Sequence, residues 1–315
     1  MDPPVKITFQ LEDFPTTPTG TGDGLCQECY DSFKPTGPAR RKVPRISSLR
    51  VSSKSCQGCQ TLLDFFIAAQ RQSVSPVSAS NPVDLGRSWA YWVSEYSRQK
   101  NHTNETQAIA LSGLITFVQD LKKDEPLLGL WKQDLAEGLL WERGIWHEPA
   151  ARKRVAPFPS WTWMSLPGAV QYPSFRLTSK LIELIHPRIC WSQAEFDSSL
   201  EIAELLLRAK VLKGTLTYHG RESAQSSLYV DIGSSKISLF ERVDIPDSYY
   251  DNTTVQLILI GGTDNHWFFL IASNVVNPER NPYVRIGRAY SPCDRAFKKL
   301  EEHFATVNSQ MLKLR

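Results

Sequence analysis

The chain has 315 residues, 41% of them apolar and 22% charged, close to ordinary globular proteins. That composition excludes a collagen-like, coiled-coil or wholly disordered chain. Lys and Arg number 36 against 33 Asp and Glu, so the net charge of +3 creates no general demand for nucleic acid or an anionic membrane.

The length admits about two domains and a core large enough to stand without staples. The best apolar stretch, Thr61 to Ala69, is short and broken by Asp64, where a membrane span needs roughly 20 residues. Met1-Asp2-Pro3-Pro4 is not the start of a signal peptide. The expectation is a cytoplasmic protein, with the nucleus left open and no membrane partner. The sequons at Asn101, Asn104 and Asn252 are then chance matches.

Residues 1–72 read as a cysteine-knuckle module. Cys26-Gln-Glu-Cys29 and Cys56-Gln-Gly-Cys59 are separated by 26 residues. In a reducing compartment such pairs read as metal ligands before they read as disulfides. Two intervening residues let both thiolates of a knuckle reach one tetrahedral ion, and two knuckles close a structural zinc site. Four thiolates leave no open position for catalysis. The other reading of Cys26, Cys29, Cys56 and Cys59 is four reduced core cysteines.

Between the knuckles, residues 34–54 carry Lys34, Arg40, Arg41, Lys42, Arg45, Arg50 and Lys54 and no acid. A zinc-stabilised module that binds nucleic acid or a protein is one reading. A solvated, proline-rich loop is the other. No aromatic beyond Phe33 interleaves with the basic residues, so single-strand stacking has no support there and nucleic acid is not the expected partner. Leu62, Leu63, Phe66 and Ile67 then have helical spacing. Residues 73–84, small and polar, form a linker.

Residues 85–165 read as a helical, tryptophan-rich region. Leu85, Trp89, Trp92, Val93 and Tyr96 make one helical face, and Ala108, Leu111, Leu114, Ile115, Val118 and Leu121 a second. Pro126 opens a third predicted helix with Leu128, Trp131, Leu135 and Leu139 inward. Prolines exclude a helix over Pro157 to Ser165, so Trp161 and Trp163 fall on one side of an extended segment. They form either a ligand platform or, as we favour, a plug in the core.

Residues 166–315 read as an antiparallel sheet with a terminal helix. Strand patterns run through Phe175–Ile185, Leu207–Leu216, Tyr229–Ile232 and Ile237–Leu239, the last two a hairpin across Gly233. Val255–Ile260 and Trp267–Ile271 flank Gly261-Gly-Thr-Asp-Asn265, a strong hairpin signal, and Tyr283, Val284 and Ile286 mark a further strand. Asp294 is placed to cap a helix carrying Phe297, Leu300 and Phe304. The whole chain is expected to be α+β.

No Gly-x-Ser-x-Gly elbow, P-loop or His-Glu-x-x-His occurs, and Gly20-Thr-Gly-Asp-Gly24 precedes a knuckle rather than a helix. The histidines at 102, 147, 186, 219, 266 and 303 do not stand at ligand spacing, and neither Cys190 nor Cys293 has a base beside it. No reaction follows from these residues.

One ordered set of motifs does carry a resemblance: Trp89-x-x-Trp92-Val93-x-x-Tyr96-Ser97, Thr103, Ala110-Leu-Ser-Gly113, Gly129-Leu-Trp131, Leu139-Leu-Trp141 and Pro159-Ser-Trp-Thr-Trp-Met-Ser165, then Tyr283-x-Arg285-Ile-Gly287. In that order they resemble the region downstream of the core domain in fungal heterokaryon-incompatibility (HET) proteins, and the knuckles resemble that family's start. The family's core block, of the type Ala-Leu-Ser-Tyr-Cys-Trp-Gly, is not found between Cys59 and Trp89. The resemblance implies non-self recognition after cell fusion, ending in growth arrest or cell death, with other HET-type or incompatibility proteins as partners. The death-triggering activity belongs to the family's core, so no catalytic residue carries over. The expectation is a non-enzymatic, core-less variant or remnant with a structural zinc.

Overall fold

The computed structural model describes residues 54, 59–60, 63–64, 85–98, 111, 114–116, 118–144, 154, 157–166, 168–193, 198–218, 226–244, 253–273, 282–291 and 295–315. The chain divides into two units, Met1–Pro126 with Trp191–Ser199, and Leu127–Cys190 with Leu200–Arg315.

In the first unit, helix α1 (Leu85–Tyr96) buries Trp89, Trp92, Val93 and Tyr96 along the predicted face. Trp92 stands between its neighbours, 5.2 Å from the Trp89 ring and 4.7 Å from the Tyr96 ring. The second predicted face is also buried at Leu111, Leu114, Ile115 and Val118. That helical stretch ends at Lys123, whose φ of 53° leaves the helical region.

The third predicted helix does not form. Short strands β1 (Pro126–Leu127) and β2 (Leu130–Trp131) flank a turn in which Leu128 (φ 48°) and Gly129 (φ 83°) are both left-handed. Only the single turn α2 (Leu135–Gly138) is helical. The apolar spacing that suggested a helix instead buries Leu127, Leu128, Leu130 and Trp131 around a tight bend. A 3₁₀ turn follows at Trp163–Ser165, and β3 (Glu142–Arg143) pairs with β4 (Val170–Gln171).

The remaining strands are β5 (Ser179–Lys180), β6 (Glu183–Trp191), β7 (Leu200–Ala209), β8 (Val211–Tyr218), β9 (Ser226–Ile232), β10 (Ser235–Val243), β11 (Thr253–Gly262), β12 (Trp267–Ser273), β13 (Val284–Tyr290) and β14 (Gln310–Leu314). Strands β8 to β13 close into a six-stranded antiparallel barrel, in the order β8-β9-β10-β13-β12-β11 and back to β8. β8, β9 and β10 follow one another, and β11 returns beside β8, which is the Greek-key order. β14, β7 and β6 form a separate three-stranded sheet.

Strict alternation fills the barrel. Leu212, Leu216, Leu228, Val230, Ile237, Leu239, Val255, Leu257, Leu259, Phe269 and Ile271 point inward. Leu300 and Phe304 of helix α3 (Arg295–Thr306) join the same cluster, and Trp267 lies flat on Phe297 at 5.3 Å. The outward residues of β11 and β12 are buried as well: Ile258, Ile260, Phe268, Leu270 and Ala272. The preceding segment lies against this side. Phe175 stacks on Phe268 at 4.3 Å, and β5 pairs with β11 at Gly261 and Gly262.

The α+β expectation is therefore corrected. Strands hold 46% of the interpretable residues, helices are few, and the sheet is closed. Alternation within a strand is the same in an open sheet and a barrel. Closure comes from β10 pairing with β13 and β11 with β8, joins that no local pattern announces. The cysteine module in that expectation lies outside the described residues, apart from part of its second knuckle. Among the described residues no helix is long and apolar enough to cross a membrane.

Candidate functional site

The most densely connected polar group of the second unit is the guanidinium of Arg285, on β13. It is fully buried. A β-bulge at Ile286 puts it there. β12 residues Ile271 and Ala272 face Gly287 and Arg285, so β13 carries one extra residue. The bulge breaks the alternation of β13. Ile286 and Ala289 both join the barrel core, while Arg285 and Arg288 reach polar partners outside it.

Arg285 donates from Nε to Asp244 Oδ2 at 3.0 Å and from Nη2 to Asp244 Oδ1 at 3.1 Å, a bidentate fork. Nη1 donates to the Leu139 carbonyl at 2.6 Å, and Nη2 also donates to the Trp141 carbonyl. Its Cζ lies 3.4 Å from the centre of the Trp141 ring. Burial pushes the Arg285 pKa down, and the Asp244 carboxylate pushes it back up. Arg154 supplies a second cation, reaching Asp244 Oδ2 at 2.9 Å, the Arg285 carbonyl at 2.7 Å and Ser165 Oγ at 2.9 Å.

The tryptophan block is tied into the same knot. Ser160 Oγ accepts from the Arg285 amide at 2.9 Å and donates to the Arg315 main-chain oxygen. Trp141 Nε1 donates to the Trp161 carbonyl at 3.0 Å, Trp163 Nε1 to the Gly129 carbonyl at 3.0 Å, and Thr162 Oγ1 to the Leu128 carbonyl at 2.6 Å. Gly129 is required there, because a Cβ would strike the Trp163 indole. Trp161 and Trp163 are both buried, so neither ring offers a ligand platform. Tyr172 is pushed far above its ordinary pKa by burial, and the Arg285 charge pulls it only part of the way back.

A second pair flanks the first. Arg288 Nε donates to Glu142 Oε2 at 2.8 Å, and Gln171 Nε2 donates to Glu142 Oε1 at 2.6 Å across β3 and β4. These groups bind protein atoms. The hydroxyl of Ser165 donates to the Thr162 carbonyl at 2.8 Å, and neither it nor Ser160 holds a histidine or carboxylate that could serve as its base. His266 Nδ1 donates to the Ser291 carbonyl at 2.6 Å and packs edge-on to Tyr290.

Of the predicted metal ligands, Cys26, Cys29 and Cys56 lie outside the described residues. Cys59 is buried, beside the helical residues Gln60, Leu63 and Asp64. Among the described residues no group of His, Cys, Asp and Glu stands at metal-holding distance.

Sequence reasoning missed Asp244, Glu142, Arg154 and Arg288. One signal was present: two arginines on either side of Ile286-Gly287 in an otherwise apolar strand, where buried charge demands a partner. Comparison with protein-family models, with curated proteins and with solved structures finds no match.

Proposed function

We propose that this chain is a non-enzymatic relative of the HET proteins, a core-less variant that takes part in non-self recognition. One observation supports the reading best. The motifs that carry the resemblance in the second unit, Gly129-Leu-Trp131, Leu139-Leu-Trp141, Pro159 to Ser165 and Tyr283 to Gly287, are joined by the hydrogen bonds and stacking around Arg285 and Trp163. Residues scattered over the sequence that meet in one folded knot are what a shared architecture requires, and their roles here are packing and positioning rather than chemistry. On this reading the protein works in the cytoplasm, engages other incompatibility proteins, and holds one structural zinc on Cys26, Cys29, Cys56 and Cys59.

The test is expression of the full chain in a filamentous fungus. Growth should continue when it is expressed alone, and its presence should change the incompatibility reaction between strains that differ at recognition loci. Growth arrest by the chain alone would overturn the non-enzymatic reading, and an unchanged reaction would overturn the recognition role. Metal analysis of the purified protein should return one zinc per chain, lost in a Cys56→Ser variant.

A further inference from the structure

The outer face of β9, β10 and β13 is built differently from the rest of the barrel. Phe240 on β10 stands directly opposite Tyr290 on β13, and Arg242 directly opposite Arg288. The two rings stack at 5.1 Å with 26° between their planes. Phe240 is nevertheless 53% exposed, an unusual state for a phenylalanine. The two arginines differ. Arg288 is buried and committed to Glu142. Arg242 keeps 60% of its side chain exposed and lies 3.9 Å from the same carboxylate, which Arg288 and Gln171 already hold.

These residues, with Ser227, Ser238 and Glu241, line an open groove of about 260 Å³. Phe240 and Arg242 are two residues apart on one strand face, about 7 Å. A flat aromatic surface with a cation one short step away suits a planar ring that carries an anionic group. Cross-strand aromatics beside a cation are also the arrangement on which bases stack.

We propose that this face binds a nucleotide unit, with its base stacked on Phe240 and its phosphate held by Arg242. Ser238, exposed between them and the hairpin, is placed to meet polar edges of the base. The unit comes either as a free nucleotide or as part of a single strand. This site is separate from the knuckles and from the basic run at 34–54, and it does not depend on the HET reading.

The test uses the full chain at low salt with two probes, a fluorescein-labelled oligo-dT followed by anisotropy and AMP followed by calorimetry. Phe240→Ala should weaken binding at least about fivefold, the lower end of a stacking contribution. Arg242→Gln should weaken it and lower the salt slope by about one counterion. Both side chains are exposed, so unchanged melting curves will show that the variants fold. AMP binding as tightly as the oligonucleotide would identify a free nucleotide as the source, and oligonucleotide binding far tighter than AMP a single strand. Binding that Phe240→Ala leaves unchanged would overturn the proposal and assign the affinity to the basic run. No binding of either probe would also overturn it, leaving the face to a protein segment.

Discussion

At the residue scale, Arg285 illustrates why a buried charge must be judged by its partners. Its donors reach a carboxylate and two carbonyls, and all of these lose a buried partner if the side chain is cut back. Arg285→Ala should therefore cost about 3–5 kcal/mol in urea unfolding. Arg285→Lys should recover little of it, because an ammonium cannot span the fork and both carbonyls together. Trp161→Ala should cost a similar ~3–5 kcal/mol, read as a large drop in melting temperature. An unchanged melting temperature would show that the ring is not part of the core. Tyr96 gives a pH prediction. Burial raises its pKa from 10.0 to about 12, so the folded chain favours the neutral form. Its contribution to stability is complete below pH 10 and is lost as pH rises through about 12. Tyr96→Phe should flatten the alkaline decline in stability over that window, followed alongside tyrosinate absorbance.

At the element scale, β13 does the positioning and glycine makes it possible. At Gly287 a Cβ would run into the Arg242 carbonyl of β10, the pairing that closes the barrel. Gly287→Ala should destabilise by about 1–3 kcal/mol through forced backbone movement, with loss of amide protection centred on β10 and β13. The same strand shows how far sequence reading reaches. Tyr283, Val284 and Ile286 identified it, because its apolar letters are local. The bulge that breaks its alternation at Ile286 depends on Ile271 and Ala272 of the neighbouring strand and could not be read from β13 itself. α1 was legible because Trp89, Trp92, Val93 and Tyr96 repeat within one helix. Leu128 to Leu139 misled because Gly129 and the left-handed Leu128 break a spacing that otherwise fits a helix. β14 was overlooked although Leu312 and Leu314 alternate with exposed neighbours, because five residues at a chain end carry little pattern.

At the scale of the whole molecule, the second unit is organised by joins between distant parts of the chain. Closing the barrel removes the open edges that an isolated antiparallel sheet would leave beside β8 and β13. Both Asp244 and Glu142 were invisible as site residues for the same reason as the closure: each finds its arginine only after folding, 41 and 146 residues along the chain.

The long reach of the Arg285 knot also bears on the order of events during folding. Its bonds to Leu139, Trp141 and the Ser160 hydroxyl bridge 146, 144 and 125 residues. Contacts of such separation carry a large loop-closure cost before they return any stabilisation, which places this fold among slow, high-contact-order topologies. Hairpins β9–β10 and β11–β12 can form early, whereas the arginine can lock only once the tryptophan block has docked. A truncation at Arg285 should then raise the unfolding rate and leave the refolding rate nearly unchanged in a chevron measurement. Slowed refolding would instead place the knot in the nucleus. In the first case Arg285 acts as a latch: it sets the lifetime of the folded chain rather than the speed at which that chain is reached.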